Sequence, residues 1–222
     1  MDKYKLEMTL KSDTTFGRGD GVAGLIDAEV EHDETGLPFL RGRSLKGLLA
    51  EECANLLFSI GKFTNLDDWK DEANFLFGKP GSGLEDDAKM FVGDCKMPDD
   101  LQKAIAEAIT DNKIEAEEVL KSLTSIRRQT AMTEDGAPKE NSLRSMRVVV
   151  RENKFTSELS FSEPPDETAL TLLDFCARSL RRVGLGRNRG RGRVEVRLLK
   201  NGGEVNSFDE FNKILTGKEQ AI

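Results

Sequence analysis

Apolar and polar residues follow one another along the 222-residue chain in blocks of strand and helix periodicity. Strict alternation over residues 4–10 and 194–199 predicts two half-buried strands. Apolar runs bounded by turn residues predict further strands at 89–95, 146–150 and 155–161. These strands are widely separated in sequence, so we expect a sheet assembled from distant segments.

Two segments have the i, i+3, i+4 apolar spacing of an amphipathic helix. One is predicted to begin at Ser44 as its N-cap and to reach Leu57, and the other to begin at 164–166 and to reach Leu180. Shorter helices are predicted before Gly78 and at 99–109 and 115–123. The order strand, helix, strand, strand, helix, strand predicts an α+β, ferredoxin-like (RRM-like) fold.

Positive charge is concentrated between Arg178 and Lys200. This window holds nine basic residues and one acid, a net charge of +8, whereas the whole chain carries −7 and the remainder therefore −15. Four glycines at 184, 186, 190 and 192 separate its arginines. Glycine lets the backbone approach a ligand closely, and guanidinium groups match phosphate geometry. The window therefore predicts a site for a polyanion.

Two common glycine-rich phosphate motifs do not fit this window. A dinucleotide fingerprint needs a strand before it and a helix after it, whereas here the helix precedes and the strand follows. The third glycine of that fingerprint would fall at Arg189, and no Gly-Lys-Ser/Thr ending is present.

A second basic focus surrounds the predicted start of the first long helix. Arg41, Arg43 and Lys46 lie there, and no acid occurs from Leu37 to Ala50. Free N–H groups and the helix dipole make such a terminus a predicted anion site. In the ferredoxin-like order, we expect the two basic segments to be neighbours over one sheet.

Other features of the sequence bear on its acidic segment, its cysteines and the expected location of the protein. Residues 66–118 carry a net charge of −9, which predicts a solvated helical insertion. Cys53, Cys95 and Cys176 are far apart and are expected to be reduced, buried side chains. No apolar run approaches the length of a membrane span and no signal peptide is evident, so a cytoplasmic protein is expected.

With these segments in order, the sequence resembles the RAMP superfamily of CRISPR-associated proteins, and within it the backbone subunit of type III interference complexes. Four blocks carry the resemblance, in the expected order: GLPFLRGRSLKG at 36–47, FLFG at 75–78, RRQT at 127–130 continued by GAPKENSL at 136–143, and the glycine-rich loop at 184–194. The resemblance implies a single RAMP domain over 1–222, with a helical insertion at about 62–123 and a protruding thumb hairpin at about 124–147.

The resemblance also implies a function. Such subunits line up along a CRISPR guide RNA beside neighbouring RAMP subunits and other effector subunits, and the thumb wedges into the guide–target duplex. An aspartate in a Gly-x-Ile-Asp loop then cuts the target RNA at regular intervals with a divalent metal. The matching residue is Asp27 of GLID at 24–27, as catalytic residue and ligand of Mg²⁺ or Mn²⁺, with Asp13 and Asp20 in reserve. The expected RNA-binding residues are Arg41, Arg43, Ser44, Lys46, Arg127, Arg128, Lys139, Arg187, Arg189 and Arg191.

Three other hypotheses remain open from the sequence. The chain could hold guide RNA without cutting, or it could bind a different anion. It could also process guide RNA without metal, using His32, the only histidine, with Asp33 as a general-base couple. The alternative for His32 is a side chain in a turn.

Overall fold

The computed structural model describes residues 2–22, 25–61, 67–79, 88–209 and 211–212. Over these residues it has a five-stranded antiparallel sheet, a separate two-stranded sheet and the five α-helices named below. The strands are β1 (Tyr4–Leu10), β2 (Met90–Val92), β3 (Thr124–Gln129), β4 (Arg144–Val149), β5 (Lys154–Phe161), β6 (Val194–Lys200) and β7 (Gly203–Glu204). The helices are α1 (Gly42–Ile60), α2 (Asp67–Phe77), α3 (Asp99–Thr110), α4 (Ala116–Leu123) and α5 (Glu167–Ser179).

The main sheet has the order β2-β5-β1-β6-β7, with β1 at its centre. Tyr4 lies opposite Leu159 on one neighbour and Lys200 on the other, and both pairings are antiparallel. Apart from the short edge strand β7, this is the strand order of the ferredoxin-like split unit, which confirms the α+β prediction. Every second residue of β1 is buried, as the alternation predicted.

Helices α1 and α5 cover the apolar face of this sheet. Leu45, Leu49 and Cys53 of α1 and Leu172 and Cys176 of α5 belong to the same buried cluster as the inward-facing side chains of β1. All three cysteines are free and buried, as expected, and burial raises the pKa of the Cys95 thiol.

The start of α1 differs from the prediction. Ser44 is not the N-cap, because the helix already begins at Gly42 and Arg41 occupies the cap position without a side-chain cap bond. Instead, the carboxylate of Asp94 accepts a hydrogen bond from the N–H of Gly42 at 2.8 Å. The helix terminus that was predicted to bind an external anion therefore has an internal carboxylate beside it.

The acidic segment is more than a solvated surface. Among its described residues, Trp69 and Leu76 of α2 and Val119 and Leu120 of α4 are buried in the common core. Helix α3 has no fully buried residue, but Leu101 and Ile105 pack against the core. None of the helices in the described part of the chain is both long and apolar enough to cross a membrane.

Strands β3 and β4 form a hairpin outside the main sheet, where the resemblance implied a thumb at about 124–147. Strand β4 continues to Val149, so the strand predicted at 146–150 pairs in this hairpin and not in the main sheet. They pair from Thr124 opposite Val149 to Gln129 opposite Arg144. Residues 130–141 between them are exposed. The base of the hairpin is held to the loop after β1, because Thr14 and Val149 exchange both backbone hydrogen bonds, at 3.0 and 2.7 Å.

Candidate nucleic-acid interface

Three segments that are distant in sequence line one open cleft of about 510 Å³. The first is the loop after β1, represented by Asp27 and Ala28. The second is the β3–β4 hairpin, and the third is the glycine-rich loop at 184–191. The cleft therefore joins the predicted catalytic aspartate to parts of both the predicted thumb and the predicted polyanion site.

The glycine-rich loop is built around a short 3-10 helix, Arg187–Arg189. Gly186 and Gly190 flank this helix, and both have left-handed backbone conformations, with φ of 72° and 83°. Such conformations are unfavourable for residues with a Cβ. The glycines thus turn the backbone tightly, and the arginines between them supply the charge.

Asp27 lies on the rim of this cleft with an exposed side chain. The backbone N–H of Ser145 on β4 donates to Oδ2 of Asp27 at 2.7 Å, and the N–H of Asp27 donates to the carbonyl of Ser145 at 2.8 Å. No hydrogen bond from the described residues reaches Oδ1 of Asp27. Gly24, the first residue of the motif at 24–27, lies outside the described residues.

Asp27 and Ser145 also line a second hollow of about 550 Å³. Its other lining side chains include Val22, Leu25 and Leu143, and those of Leu25 and Leu143 are 72% and 65% exposed. The Asp27 carboxylate therefore lies between an arginine-rich cleft on one side and, on the other, a hollow of mixed polar and apolar lining.

The ten predicted RNA-binding residues fall into distinct groups. Arg43, Arg128, Lys139 and Arg189 are exposed and form no ion pair within the described part of the chain. Ser44 is exposed in the first turn of α1. The remaining five have intramolecular contacts: Arg41 with Glu31, Arg127 with Asp13, Arg187 with Glu51, Lys46 with the carbonyl of Met90, and Arg191 with Sδ of Met146.

The contact between Arg187 and Glu51 links the two basic segments. Its N–O distance is 2.9 Å, and Glu51 lies on α1. Arg43, Gly47 and Glu51 follow one another at intervals of four on that helix, so they lie along one side of it. At 1.5 Å per residue, Arg43 is about 12 Å along the helix axis from Glu51. The two basic segments are therefore neighbours, as the fold predicted.

The reserve carboxylates are both held by arginines. Oδ2 of Asp13 accepts hydrogen bonds from Arg127 at 2.7 and 3.0 Å. Burial opposes ionisation of Asp13, but the hydrogen bonds from Arg127 and Arg151 outweigh it and lower its pKa. Asp20 is bonded to Arg18 at 2.6 Å, which likewise lowers the pKa of Asp20.

His32 and Asp33 do not form the general-base couple of the sequence hypothesis. Nδ1 of His32 lies 3.0 Å from the backbone oxygen of Asp33. The carboxylate of Asp33 accepts instead from the backbone N–H groups of Thr35 and Leu37 and from the Thr35 hydroxyl. His32 is therefore a side chain in a turn, which was the alternative interpretation of this residue.

Sequence reasoning missed several residues that line the cleft. Arg144 and Gln129 line it from the two strands of the hairpin, and Asn188 lines it from the 3-10 helix. Arg144 is exposed and forms no ion pair with a described residue. Its position in the predicted thumb hairpin was the one available signal, since that stretch also carries Arg127 and Arg128.

No group of three or more histidine, cysteine, aspartate or glutamate side chains that could hold a metal ion exists among the described residues. Asp27 therefore stands without further carboxylate ligands on the described parts of the cleft. Mg²⁺ is commonly held by one or two carboxylates together with substrate phosphates and water. Asp27 alone could therefore hold Mg²⁺ only if phosphate oxygens of a bound RNA supplied the other ligands together with water.

The chain was compared with known families and structures. A sequence model described as the RAMP superfamily matches residues 7–195. A chain of the type III-B Cmr-beta complex bound to cognate target RNA, solved by cryo-EM, superposes with a TM-score of 0.61 at 15% identity, covering 89% of this chain and 97% of that one.

A chain from the apo state of the type III-B Cmr-beta complex gives a TM-score of 0.63 at 16% identity, with 90% and 97% coverage. No individual curated protein matches the chain in sequence. At these identities the structural likeness shows a shared fold, and the family match extends over most of the chain. The chain therefore belongs to the RAMP superfamily.

Proposed function

We propose that this protein is a backbone subunit of a type III CRISPR ribonucleoprotein complex, which binds guide RNA and cleaves complementary target RNA at regular intervals. The observation that carries the proposal is the single cleft in which Asp27, the β3–β4 hairpin and the glycine-rich loop meet. In this proposal the partners are guide RNA, target RNA, neighbouring RAMP subunits and other effector subunits. The structurally similar chain from a complex bound to cognate target RNA supports an RNA partner.

The charges of the cleft suit an RNA backbone. Arg144 and Arg189 line it, are exposed and have no ion-pair partner among the described residues, and Arg43 lies along α1 beyond the neighbouring Glu51. Guanidinium groups bind phosphate through parallel hydrogen bonds. Because the aromatic content of the chain is only 6%, base stacking contributes little, and binding is expected to depend on the backbone rather than on sequence.

Asp27 is the proposed catalytic residue. Its backbone and Oδ2 are fixed on Ser145, while Oδ1 faces no donor among the described residues. Together with RNA phosphate oxygens, Asp27 would hold Mg²⁺ or Mn²⁺, which supplies charge neutralisation at the scissile phosphate. The hairpin then sets where the target strand crosses Asp27. At that point a 2′-hydroxyl or water would attack the phosphorus, and the bond from phosphorus to the oxygen of the departing strand would break, with that oxygen taking up the proton that the attacking group loses.

The test replaces Asp27 by alanine in the RNA-loaded complex. We expect Asp27→Ala to bind guide RNA as wild type does but to lose the regularly spaced cuts in target RNA. Asp20→Ala is the matched control, because Asp20 is an exposed aspartate of the same loop that Arg18 already neutralises, and its cutting should be unchanged. Unchanged cutting by Asp27→Ala would remove the catalytic assignment.

A second candidate is a subunit that holds guide RNA without cutting. The absence of further metal-ligating carboxylates beside Asp27 among the described residues favours it. This candidate predicts RNA binding with no metal-dependent cleavage by the wild-type chain. A metal-independent nuclease would instead keep cutting in EDTA and would depend on His32, whose ring is committed to the turn.

A further inference from the structure

Residues 27–29 are attached to the hairpin as an additional short strand. The N–H groups of Asp27 and Ala28 both point to the carbonyl of Ser145, at 2.8 and 3.4 Å. The N–H of Arg147 donates to the carbonyl of Ala28 at 3.0 Å, and Ala28 forms a parallel bridge with Met146. Strand β4 therefore pairs with β3 along one edge and with the Asp27 segment along the other.

Asp27 and Glu29 are two residues apart and so lie on the same face of this segment, which is exposed at Asp27 and buried at Glu29. Asp27 is exposed, whereas the side chain of Glu29 is only 4% exposed. Oε1 of Glu29 accepts from Nε of Arg147 at 2.8 Å, and the side chain of Arg147 is 16% exposed. Nη1 of Arg147 donates further to the hydroxyl of Thr124 at the base of β3, at 3.3 Å. One buried ion pair thus joins the segment to both strands of the hairpin.

Burial of such a pair has a physical cost, because each charge loses its hydration. A pair of apolar side chains of similar volume is often as stable, and the best-attested use of buried polar groups is to fix register. Register matters here, because a slip by one residue moves every side chain of a strand to the opposite face. Such a slip would move Asp27 and Glu29 together to the opposite face, away from Ser145 and Arg147.

We infer that Glu29 and Arg147 are positioning residues that fix the register of the Asp27 segment on the hairpin, so that the Asp27 carboxylate faces the RNA. The inference rests on the proposed function for its catalytic consequence. Neither residue lines the cleft, so neither is expected to contact RNA. A catalytic group displaced by about 1 Å can lose on the order of 100-fold in rate.

The test compares Asp27→Ala, Glu29→Met/Arg147→Met and Arg147→Lys in the RNA-loaded complex. The double methionine variant removes both charges and keeps apolar volume, so no lone buried charge remains. Its single-turnover cleavage rate at saturating target should fall on the order of 100-fold. Its Kd for guide RNA should stay within about twofold, because no cleft cation is altered. Arg147→Lys keeps the charge and should recover part of the rate.

Hydrogen exchange provides a readout that does not depend on activity. The amides of Asp27 and Ala28 should exchange faster in the double variant than in wild type, because their pairing to Ser145 is weakened. The amide of Val149, which pairs with Thr14 at the other end of the same strand, is the internal control. Thermal unfolding of each variant establishes that it is folded, and Arg147→Lys provides the comparison if the double variant does not fold.

The outcomes separate this inference from the proposed function. Wild-type cleavage and unchanged exchange in the double variant, with Asp27→Ala inactive, overturn the positioning role alone. If Asp27→Ala cuts as wild type does, the proposed catalytic function fails. In that case faster exchange of Asp27 and Ala28 still supports the register role, and unchanged exchange overturns it.

Discussion

Glycines and arginines have different roles in the glycine-rich loop. The glycines provide backbone conformations, and the arginines provide charge at the surface. The reason why glycine is needed differs between Gly190 and Gly192. Gly190 has a φ of 83° and open space around it, whereas Gly192 has a φ of 70° and a built Cβ would lie 1.9 Å from the carbonyl oxygen of Val183. Val183 is buried at the start of the loop, so its carbonyl oxygen cannot move aside for a Cβ at position 192.

This difference gives a prediction with a built-in control. Gly190→Ala should cost about 1–2 kcal/mol of unfolding free energy, the usual penalty of a left-handed backbone for an L-residue. Gly192→Ala should cost about 3 kcal/mol or more, because a clash with backbone is added to that penalty. Denaturant unfolding measures both, through the midpoint at constant slope. Equal costs would mean that the close approach to Val183 does not limit this loop.

Secondary-structure elements were predictable where their pattern is local. The predicted strand at 4–10 and the helix at 99–109 agree with β1 (Tyr4–Leu10) and α3 (Asp99–Thr110). Their alternation, their helical period and their turn residues all lie within the segments themselves. The start of α1 was misplaced because its stabilising carboxylate, Asp94, comes 52 residues later in the chain.

The candidate site was predictable to a similar degree. Asp27 and the glycine-rich loop were named from their motifs, and the cleft brings them together. The internal partners of Arg41 and Arg127 could not be anticipated, because Glu31 and Asp13 approach them only after folding. Charge counts along a sequence therefore give the location of a basic surface but overestimate the number of cations that are free to bind RNA.

The hairpin is the element whose proposed function can be separated from its stability. Residues 131–142 are exposed apart from Ser142, which is partly buried. Replacing them with Asn-Gly keeps Gln129 opposite Arg144 and supplies a two-residue hairpin turn. Unfolding free energy should change by no more than about 0.5 kcal/mol, because no core contact is removed. The regular spacing of cuts in target RNA should be lost.

The control for this replacement is the binding of guide RNA by the shortened chain. Arg43, Arg144 and Arg189 remain in place, so binding should persist with a modest loss from removal of Lys139. If the shortened chain still cuts target RNA at the original spacing, the hairpin tip does not determine the spacing.

At the scale of the whole molecule, net charge and local charge have opposite signs. The chain carries −7, yet the side with the cleft presents exposed cations without ion-pair partners among the described residues. The acidic helices α2–α4 lie elsewhere in sequence and in part contribute to the core. Screening limits the influence of distant acids to about 8–10 Å at moderate ionic strength. Binding of a polyanion to an acidic protein is therefore physically consistent.

The salt dependence of RNA binding tests this separation directly. We assign five exposed cations without described ion-pair partners to the proposed RNA surface: Arg144 and Arg189, which line the cleft, and Arg43, Arg128 and Lys139. If each contacts one phosphate of a single strand, log Kd should change with log salt concentration with a slope of magnitude about 3.5, since each contact contributes about 0.7. Fluorescence anisotropy with labelled guide RNA over a salt series measures this slope.

Single substitutions then show which cations contribute to this salt dependence. Arg189→Gln should reduce its magnitude by about 0.7, to about 2.8, because one phosphate contact and its released counterion are lost. Lys103→Gln, an exposed lysine on the acidic helix α3, is the matched control and should leave the slope unchanged. Equal effects of the two substitutions on the slope would show that RNA binding depends on the total charge of the protein and not on the cleft. The cleft formed by Asp27, the hairpin and the glycine-rich loop would then not be the RNA-binding surface.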